Sequence, residues 1–122
     1  MSKTQILTVD DSPSMRMLLR VALTERGYDV EQAEDGLEAL DWLGDNKPHV
    51  IITDINMPRM DGFELIESLR TEGDHQTVPI LVLSTESSDE KKNRARSAGA
   101  TGWIVKPFDP DKLAAAVRRV AL

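Results

Sequence analysis

The stretch Val50-Ile51-Ile52-Thr53-Asp54-Ile55-Asn56-Met57-Pro58 joins a short apolar run to an acidic residue and a polar turn. An apolar run that is bounded in this way is typical of a buried parallel strand. Two further runs have the same pattern, since residues 6–9 precede Asp10 and Asp11, and residues 103–105 precede Lys106. The carboxyl ends of the strands in an open α/β sheet share one edge, where ligands bind. We therefore expect three aspartates and one lysine to converge on one surface pocket.

Segments with the periodicity of amphipathic helices alternate with the apolar runs. Further strands are predicted over residues 28–33, 78–84 and 102–105, the first of them at an edge, and a fourth helix is predicted over residues 87–98. This βα alternation predicts an α/β fold, with a mostly parallel sheet and helices on both of its faces. The core faces of the first two helices are expected to carry Met15, Leu18, Leu19, Ala22, Leu37, Leu40 and Leu43.

Size and composition restrict the classes of protein to which the chain can belong. Its 122 residues are the size of one domain, and we expect residues 1–122 to form that domain without an attached output domain. The net charge of −6 argues against nucleic acid as a partner, and the absence of cysteine excludes disulfides and thiol chemistry. No apolar run approaches the length of a membrane span, so we expect a cytoplasmic protein without membrane insertion.

The expected acidic cluster of Asp10, Asp11 and Asp54 places like charges close together. Their repulsion is about 4 kcal/mol per pair near a protein surface, so either raised pKa values or a divalent cation is needed. Carboxylates with water ligands suit Mg²⁺, which often meets a phosphate group. The sequence therefore predicts a magnesium site at this edge of the sheet.

Ser84 ends the fourth apolar run and adds a hydroxyl to the same edge, where Lys106 adds a lasting positive charge. Phosphoryl transfer needs a nucleophile in line with the leaving group and cations on the phosphoryl oxygens. Asp54 is the predicted nucleophile, which would form an acyl phosphate. Each residue also has an ordinary explanation as a helix cap, a turn former, a solvated lysine or a polar strand end. Their common edge favours the phosphoryl-accepting site.

Five motifs in order resemble the receiver domain of two-component response regulators, and most closely its single-domain chemotaxis members. The resemblance covers almost the whole chain and implies a flavodoxin-like (βα)5 fold, a doubly wound parallel sheet with strand order 2-1-3-4-5. The motifs are Val9-Asp10-Asp11-Ser12, Thr53-Asp54-Ile55-Asn56-Met57-Pro58, Asp61-Gly62, Ser84-Thr85 and Lys106-Pro107-Phe108.

The resemblance also implies roles for individual residues. Asp54 corresponds to the phosphoacceptor and also contacts the metal, which is Mg²⁺ or alternatively Mn²⁺. Lys106 corresponds to the phosphate-binding lysine, and its bond to Pro107 is expected to be cis. The remaining implied roles are metal binding by Asp10, Asp11 and the backbone carbonyl of Asn56, switching by Ser84 and by Trp103, where the family often has tyrosine, and tuning of the dephosphorylation rate by Asn56, Thr85 and Glu86.

The implied partners are a histidine kinase or histidine phosphotransfer domain upstream and a flagellar motor switch downstream. The resemblance implies a monomeric regulator that is not an enzyme and promotes only its own phosphorylation and dephosphorylation. Phosphorylation is expected to change the face formed by the fourth helix, the fifth strand and the last helix. A phosphate sink and a phosphorelay shuttle remain alternatives to the chemotaxis signal.

Two rival classes use related folds. A phosphatase of the haloacid-dehalogenase type requires a second aspartate where this chain has Asn56. A flavodoxin-type module requires a glycine- and hydroxyl-rich phosphate loop, whereas Asp10 and Asp11 would repel the flavin phosphate. Both are disfavoured by these residues.

Three surface features leave two interpretations each. The fourth helix offers only alanines to the core, so it is either weakly anchored or tightly packed. Its basic residues face either an acidic partner or solvent, and Met17 and Val21 on the first helix either dock the kinase or are ordinary exposed side chains. The basic residues are Lys91, Lys92, Arg94 and Arg96.

Overall fold

Strands and helices alternate along the chain in this computed structural model, which describes residues 3–71 and 73–121. The strands form one parallel sheet in the order β2-β1-β3-β4-β5, which confirms the predicted topology. In chain order, the elements are β1 (Gln5–Val9), α1 (Pro13–Thr24), β2 (Asp29–Ala33), α2 (Gly36–Leu43), β3 (Val50–Thr53), α3 (Gly62–Thr71), β4 (Ile80–Ser84), α4 (Asp89–Ala98), β5 (Gly102–Val105) and α5 (Pro110–Val120).

The sheet register aligns the ends of neighbouring strands. Val9 of β1 lies opposite Thr53 of β3, so the residues that follow them, Asp10 and Asp54, emerge at the same level. Ser84 of β4 lies opposite Val105 of β5, so Lys106 emerges beside Ser84. The carboxyl edge of the sheet therefore carries these polar residues.

Two apolar layers hold the helices against the sheet, one on each face. Successive residues of β1 point to opposite faces, so Ile6 belongs to the same apolar cluster as Leu19 of α1, and Leu7 belongs to the same cluster as Leu65 of α3. Full burial of such a side chain contributes about 1.5–3 kcal/mol. None of the helices within residues 3–71 and 73–121 combines the length and the apolar character that a membrane crossing requires.

The structure corrects two of the expected core residues. Leu18 is 56% exposed and Leu37 is 43% exposed. The buried residues of α1 are Leu19, Ala22 and Leu23, and a residue one position earlier is turned by about 100° around the helix axis. Leu37 likewise follows Gly36, which lies on the buried face of α2. The predicted faces were therefore each too wide by one residue, since the other predicted residues are buried or pack against the core: Met15, Leu19, Ala22, Leu40 and Leu43.

Two predicted element boundaries were each early by two residues, and the start of β2, at Asp29 rather than residue 28, was early by one. The fourth strand begins at Ile80 rather than at residue 78, because Pro79 has no N–H group for the ladder. The fourth helix begins at Asp89 rather than at residue 87, because the side chain of Ser88 caps it by accepting the N–H of Lys91. Both starts are set by local hydrogen-bond chemistry.

Candidate functional site

Three carboxylates meet at the carboxyl edge of the sheet. Oxygens from Asp10, Asp11 and Asp54 all lie within 4.8 Å of one another. Asp10 directly follows β1 and is buried, Asp54 directly follows β3 and is half-buried, and Asp11 is exposed. The structure therefore brings together the acidic residues that were expected to meet.

Lys106 joins this acidic cluster from the end of β5. Its Nζ donates to Oδ2 of Asp10 at 2.8 Å and to Oδ2 of Asp54 at 2.9 Å. Burial by itself lowers the pKa of Lys106, but the hydrogen bonds and negative charges of the two aspartates outweigh it, so the pKa lies above its ordinary value. Lys106 therefore lies at the expected edge, and its ammonium bridges two of the three carboxylates.

Backbone N–H groups orient the other oxygens of the same two carboxylates. Oδ1 of Asp10 accepts the N–H of Ser12 at 2.9 Å, and Oδ1 of Asp54 accepts the N–H of Ile55 at 2.7 Å. The backbone carbonyl of Asp10 also accepts a hydrogen bond from Arg16 at 2.8 Å. The carboxylates of Asp10 and Asp54 are thus each held by one backbone N–H group, and they share the ammonium of Lys106.

The turn after β4 contains the hydroxyl and two neighbouring polar residues. Ser84 is fully buried, and its Oγ accepts the N–H of Glu86 at 3.2 Å. Thr85 is exposed, whereas Glu86 forms an ion pair with Lys91 of α4 at 3.2 Å. The Ser84 hydroxyl therefore supports the turn that leads into α4.

Trp103 connects β5 to the same turn. Its half-buried ring packs against the apolar layer that contains α3, and its indole Nε1–H donates to the carbonyl of Glu86 at 2.9 Å. The peptide groups on either side of Glu86 thus contact Ser84 and Trp103. This arrangement links the polar edge of the sheet to the surface of α4 and β5.

Asn56 lies exposed in the turn between β3 and α3, two residues after Asp54. The turn closes where the N–H of Gly62 donates to the carbonyl of Ile55 at 2.8 Å. A Cβ atom at Gly62 would lie 2.2 Å from the carbonyl oxygen of Asp54, so only glycine permits this approach. The bond between Lys106 and Pro107 is cis, as the resemblance implied.

An ion pair beside the site was not predicted from the sequence. Arg59, in the turn after β3, contacts Asp35 in the turn after β2. Asp35 had a local signal, because an acidic residue before a helical pattern is a typical N-cap. Arg59 had none, because its partner lies 24 residues away.

The donor set of the acidic cluster fits a divalent cation. The available ligands are carboxylate oxygens, and Asp11 is open to solvent. Oxygen ligands of this kind suit Mg²⁺, which usually keeps several of its waters. The cluster therefore fits a magnesium site.

Comparisons with known proteins give the same assignment at the level of the family. Residues 6–118 match the response regulator receiver domain. The chain is 42% identical over 114 residues to the response regulator MprA of Mycobacterium sp. (strain KMS), covering 93% of this chain and 49% of that protein. The chain thus spans about half the length of the curated relatives that it matches.

Solved structures are similar over nearly the full chain. The chemotaxis response regulator CheY4 of Vibrio cholerae is 44% identical with a TM-score of 0.91, and the alignment covers 98% of this chain and 99% of that one. The signal receiver domain of a signal transduction histidine kinase from Syntrophus aciditrophicus is 36% identical with a TM-score of 0.89, covering 97% and 89% of the two chains. With the family match, these similarities show that the chain belongs to the response regulator receiver domain family.

Proposed function

We propose that this chain accepts a phosphoryl group on Asp54 from a phosphohistidine of a kinase or phosphotransfer partner. An oxygen of Asp54 attacks phosphorus, and the P–N bond breaks with its electron pair returning to the imidazole. The product is an acyl phosphate on Asp54. The single observation that carries the proposal is Lys106, whose ammonium bridges Asp10 and Asp54 within the acidic cluster.

Side chains and backbone groups of this chain orient Asp54 and neutralise the negative charge of the phosphoryl group. The backbone N–H of Ile55 holds one oxygen of Asp54, which leaves the oxygen beside Lys106 as the nucleophile. Lys106 then forms an ion pair with the phosphoryl oxygens, because the phosphoryl group carries more negative charge than the carboxylate did. Asp10, Asp11, Asp54 and the carbonyl of Asn56 would hold Mg²⁺, or alternatively Mn²⁺. That ion supplies positive charge to the phosphoryl group.

The phosphoryl group also changes the turn after β4. The Ser84 hydroxyl exchanges its hydrogen bond with the N–H of Glu86 for one that it donates to a phosphoryl oxygen. Moving a two-state equilibrium from 1:99 to 99:1 takes about 5.5 kcal/mol. A few charge-assisted hydrogen bonds at about 1.5–3 kcal/mol each are sufficient. Because Trp103 donates a hydrogen bond to the carbonyl of Glu86, the surface of α4, β5 and α5 changes when this turn changes.

The charge of that surface favours an acidic target. Lys92 and Arg96 line a groove together with Trp103, and Arg119 lines a neighbouring groove that Trp103 also lines. None of the ion pairs formed by residues 3–71 and 73–121 involves these three cations. In a chain of net charge −6, such a basic surface fits an acidic segment with an apolar anchor.

Chemotaxis signalling is the function that we infer for this switch, with the flagellar motor as the downstream target. The 44% identity to CheY4 of Vibrio cholerae supports it. In this role the chain acts as a cytoplasmic, monomeric regulator that is not an enzyme toward other substrates and does not contact nucleic acid. This role depends on phosphorylation of Asp54, which labelling with acetyl phosphate tests.

A phosphate sink or relay shuttle is the alternative role, and one similarity favours it. The receiver domain of a histidine kinase from Syntrophus aciditrophicus is 36% identical to this chain. Capture experiments with beryllofluoride-loaded protein separate the roles. A flagellar switch component recovered only with the loaded form supports the motor signal, whereas recovery of only a kinase or phosphotransfer protein supports the sink or shuttle.

The phosphodonor partner has an apolar surface available beside the site. A groove of about 390 Å³ is lined by exposed Met17, Leu18 and Val21 of α1 and by Phe108 after β5. Phe108 lies two residues from Lys106, so a helix of the donor that is docked here brings its histidine close to Asp54. This groove is the proposed docking surface for the kinase or phosphotransfer domain.

Acetyl phosphate tests the phosphoacceptor without a partner. Incubated with acetyl phosphate and Mg²⁺, the wild-type protein is expected to gain the intact mass of one phosphoryl group. The Asp54→Asn variant is expected to gain none, whereas Asp45→Asn, at an exposed aspartate outside the acidic cluster, is expected to match the wild type. Labelling that persists in Asp54→Asn would refute the assignment.

A further inference from the structure

A strained turn lies in the loop that carries Asn56. Arg59 has a φ of 67°, a conformation that costs a residue other than glycine about 1–3 kcal/mol. The N–H of Met60 donates to the carbonyl of Pro58 at 2.7 Å, which makes Arg59 the centre of a γ-turn. Such a conformation persists only where the surrounding contacts enforce it.

The enforcing contact is an ion pair with a buried carboxylate. Nε of Arg59 donates to Oδ2 of Asp35 at 2.7 Å, and Nη2 lies 2.6 Å from the same oxygen. The side chain of Asp35 is only 4% exposed, and its Oδ1 accepts the N–H of Glu38 at the start of α2. Both oxygens of Asp35 are therefore committed, one to α2 and one to the loop.

A second contact joins the same two segments. The N–H of Gly36 donates to the carbonyl of Met60 at 3.3 Å. A Cβ atom at Gly36 would lie 2.6 Å from Cγ and 2.9 Å from the carbonyl oxygen of Met60. The turn after β2 thus lies directly against the loop after β3.

These contacts fix the middle of a loop whose ends are fixed separately. The hydrogen bond from Gly62 to Ile55 and the reciprocal bonds between Asp61 and Glu64 hold its two ends. Among the hydrogen bonds of the described residues, those that tie residues 56–60 to another segment go to Asp35 and Gly36. We call the Arg59–Asp35 ion pair, with its Gly36–Met60 hydrogen bond, the loop clamp.

We propose that the loop clamp positions the backbone carbonyl of Asn56 for the divalent cation, which makes Arg59 a positioning residue of the acceptor site. The inference rests on the proposed function, because Asn56 is a metal contact only there. Arg59 lies three residues from Asn56 and acts through the loop rather than by touching the ion. Loss of the clamp releases the middle of the loop from the turn after β2, so the carbonyl of Asn56 is no longer held in place and the metal site is weakened.

Isothermal titration calorimetry of Mg²⁺ binding tests the clamp. Arg59→Gly and Asp35→Asn are each expected to raise the Mg²⁺ dissociation constant about three- to tenfold, below the 10–100-fold typical of groups that contact a metal ligand directly. Asp35→Asn keeps an N-cap for α2, and glycine at position 59 removes the strain of the positive φ. Neither variant is therefore expected to fail to fold.

Three further measurements separate positioning from a general structural role. The double variant is expected to be no weaker in Mg²⁺ binding than either single variant, because both remove one contact. Arg59→Lys is expected to restore part of the affinity, since lysine retains the charge. Arg26→Ala, which breaks another arginine–aspartate pair at 2.8 Å, is expected to leave the affinity unchanged.

The outcomes for the clamp and for the acceptor site are distinguishable. At saturating Mg²⁺, the acetyl phosphate labelling rate of Arg59→Gly is expected to return to within about twofold of the wild type. Wild-type affinity for Mg²⁺ in both Arg59→Gly and Asp35→Asn would overturn the clamp and leave the acceptor site standing. A wild-type protein that neither binds Mg²⁺ nor accepts phosphate would overturn the proposed function itself.

Discussion

At the scale of one residue, the positive charge of Lys106 acts against the repulsion among three neighbouring carboxylates. Its ammonium lies within 2.9 Å of both Asp10 and Asp54 and offsets part of their mutual repulsion. The residue types alone indicated only raised pKa values or a divalent cation as remedies, since a lysine 52 positions from Asp54 gives no local sign of pairing with it. In the proposed function, the same ammonium pairs with the oxygens of the phosphoryl group.

The pKa of Asp35 gives a second prediction at the scale of one residue, which concerns how the stability of the protein depends on pH. Burial alone raises the pKa of Asp35, but hydrogen bonds from Glu38 and Arg59 outweigh it, so the pKa lies below the ordinary value of 3.8. A lowered pKa gives stability that is present above the unfolded-state value and is lost as the pH falls through the native-state value. We expect Asp35→Asn to cost about 1 kcal/mol near pH 6, because Arg59 is largely exposed.

Urea unfolding of the wild type and Asp35→Asn as a function of pH measures this effect. The difference in unfolding free energy between the two proteins is expected to shrink as the pH falls below about 3.8. Asparagine retains the cap of α2, so the comparison isolates the charge. A difference that stays constant down to acid unfolding would show that the Asp35 carboxylate does not contribute through its ionisation.

At the scale of secondary structure, α4 is the helix with the fewest buried residues. Ala95 is its buried residue, whereas α3 buries five residues that include Phe63 and Leu65. The guanidinium of Arg94 lies 4.0 Å from the centroid of the Phe63 ring and adds a cation–π contact to α3. The alanine pattern left weak anchoring and tight packing of this helix as alternatives, and the contact of Arg94 with Phe63 depends on tertiary structure.

Hydrogen exchange of α4 tests how much this contact anchors the helix. A cation–π pair at an exposed site contributes about 0.5–1 kcal/mol, so Arg94→Ala is expected to speed amide exchange over residues 89–98 about two- to fivefold. Arg96→Ala is the matched control, because it makes the same substitution on the same helix without a contact to Phe63. Equal acceleration in both variants would attribute the effect to charge or helix propensity instead.

At the scale of the whole molecule, much of the fold followed from the alternation of patterns. The order of the strands in space came with the family resemblance rather than from periodicity, which cannot distinguish one strand order from another. The rule for strand ends correctly predicted that Asp10, Asp54, Ser84 and Lys106 lie at one edge. Contacts such as Arg59 with Asp35 and Trp103 with Glu86 could not be predicted, because they join distant segments through packing.

The contact of Trp103 with Glu86 gives a prediction about coupling across the molecule. Ser84 and Trp103 contact the same turn, so drawing the Ser84 hydroxyl toward a phosphoryl group is expected to alter the environment of the indole. Beryllofluoride with Mg²⁺ should therefore change tryptophan fluorescence in the wild type and in Trp42→Phe. A full change that persists in Trp103→Phe would place the signal elsewhere and contradict this coupling.

Chemical mapping of the phosphorylated residue tests most directly whether Asp54 is the phosphoacceptor. Borohydride reduces an acyl phosphate of aspartate to homoserine, so protein treated with acetyl phosphate and Mg²⁺ can be reduced, digested and sequenced by mass spectrometry. Homoserine is expected at position 54, with unmodified aspartate at positions 10 and 11. Reduction at another residue, or none after verified exposure to the phosphodonor, would contradict the assignment of Asp54 as the phosphoacceptor.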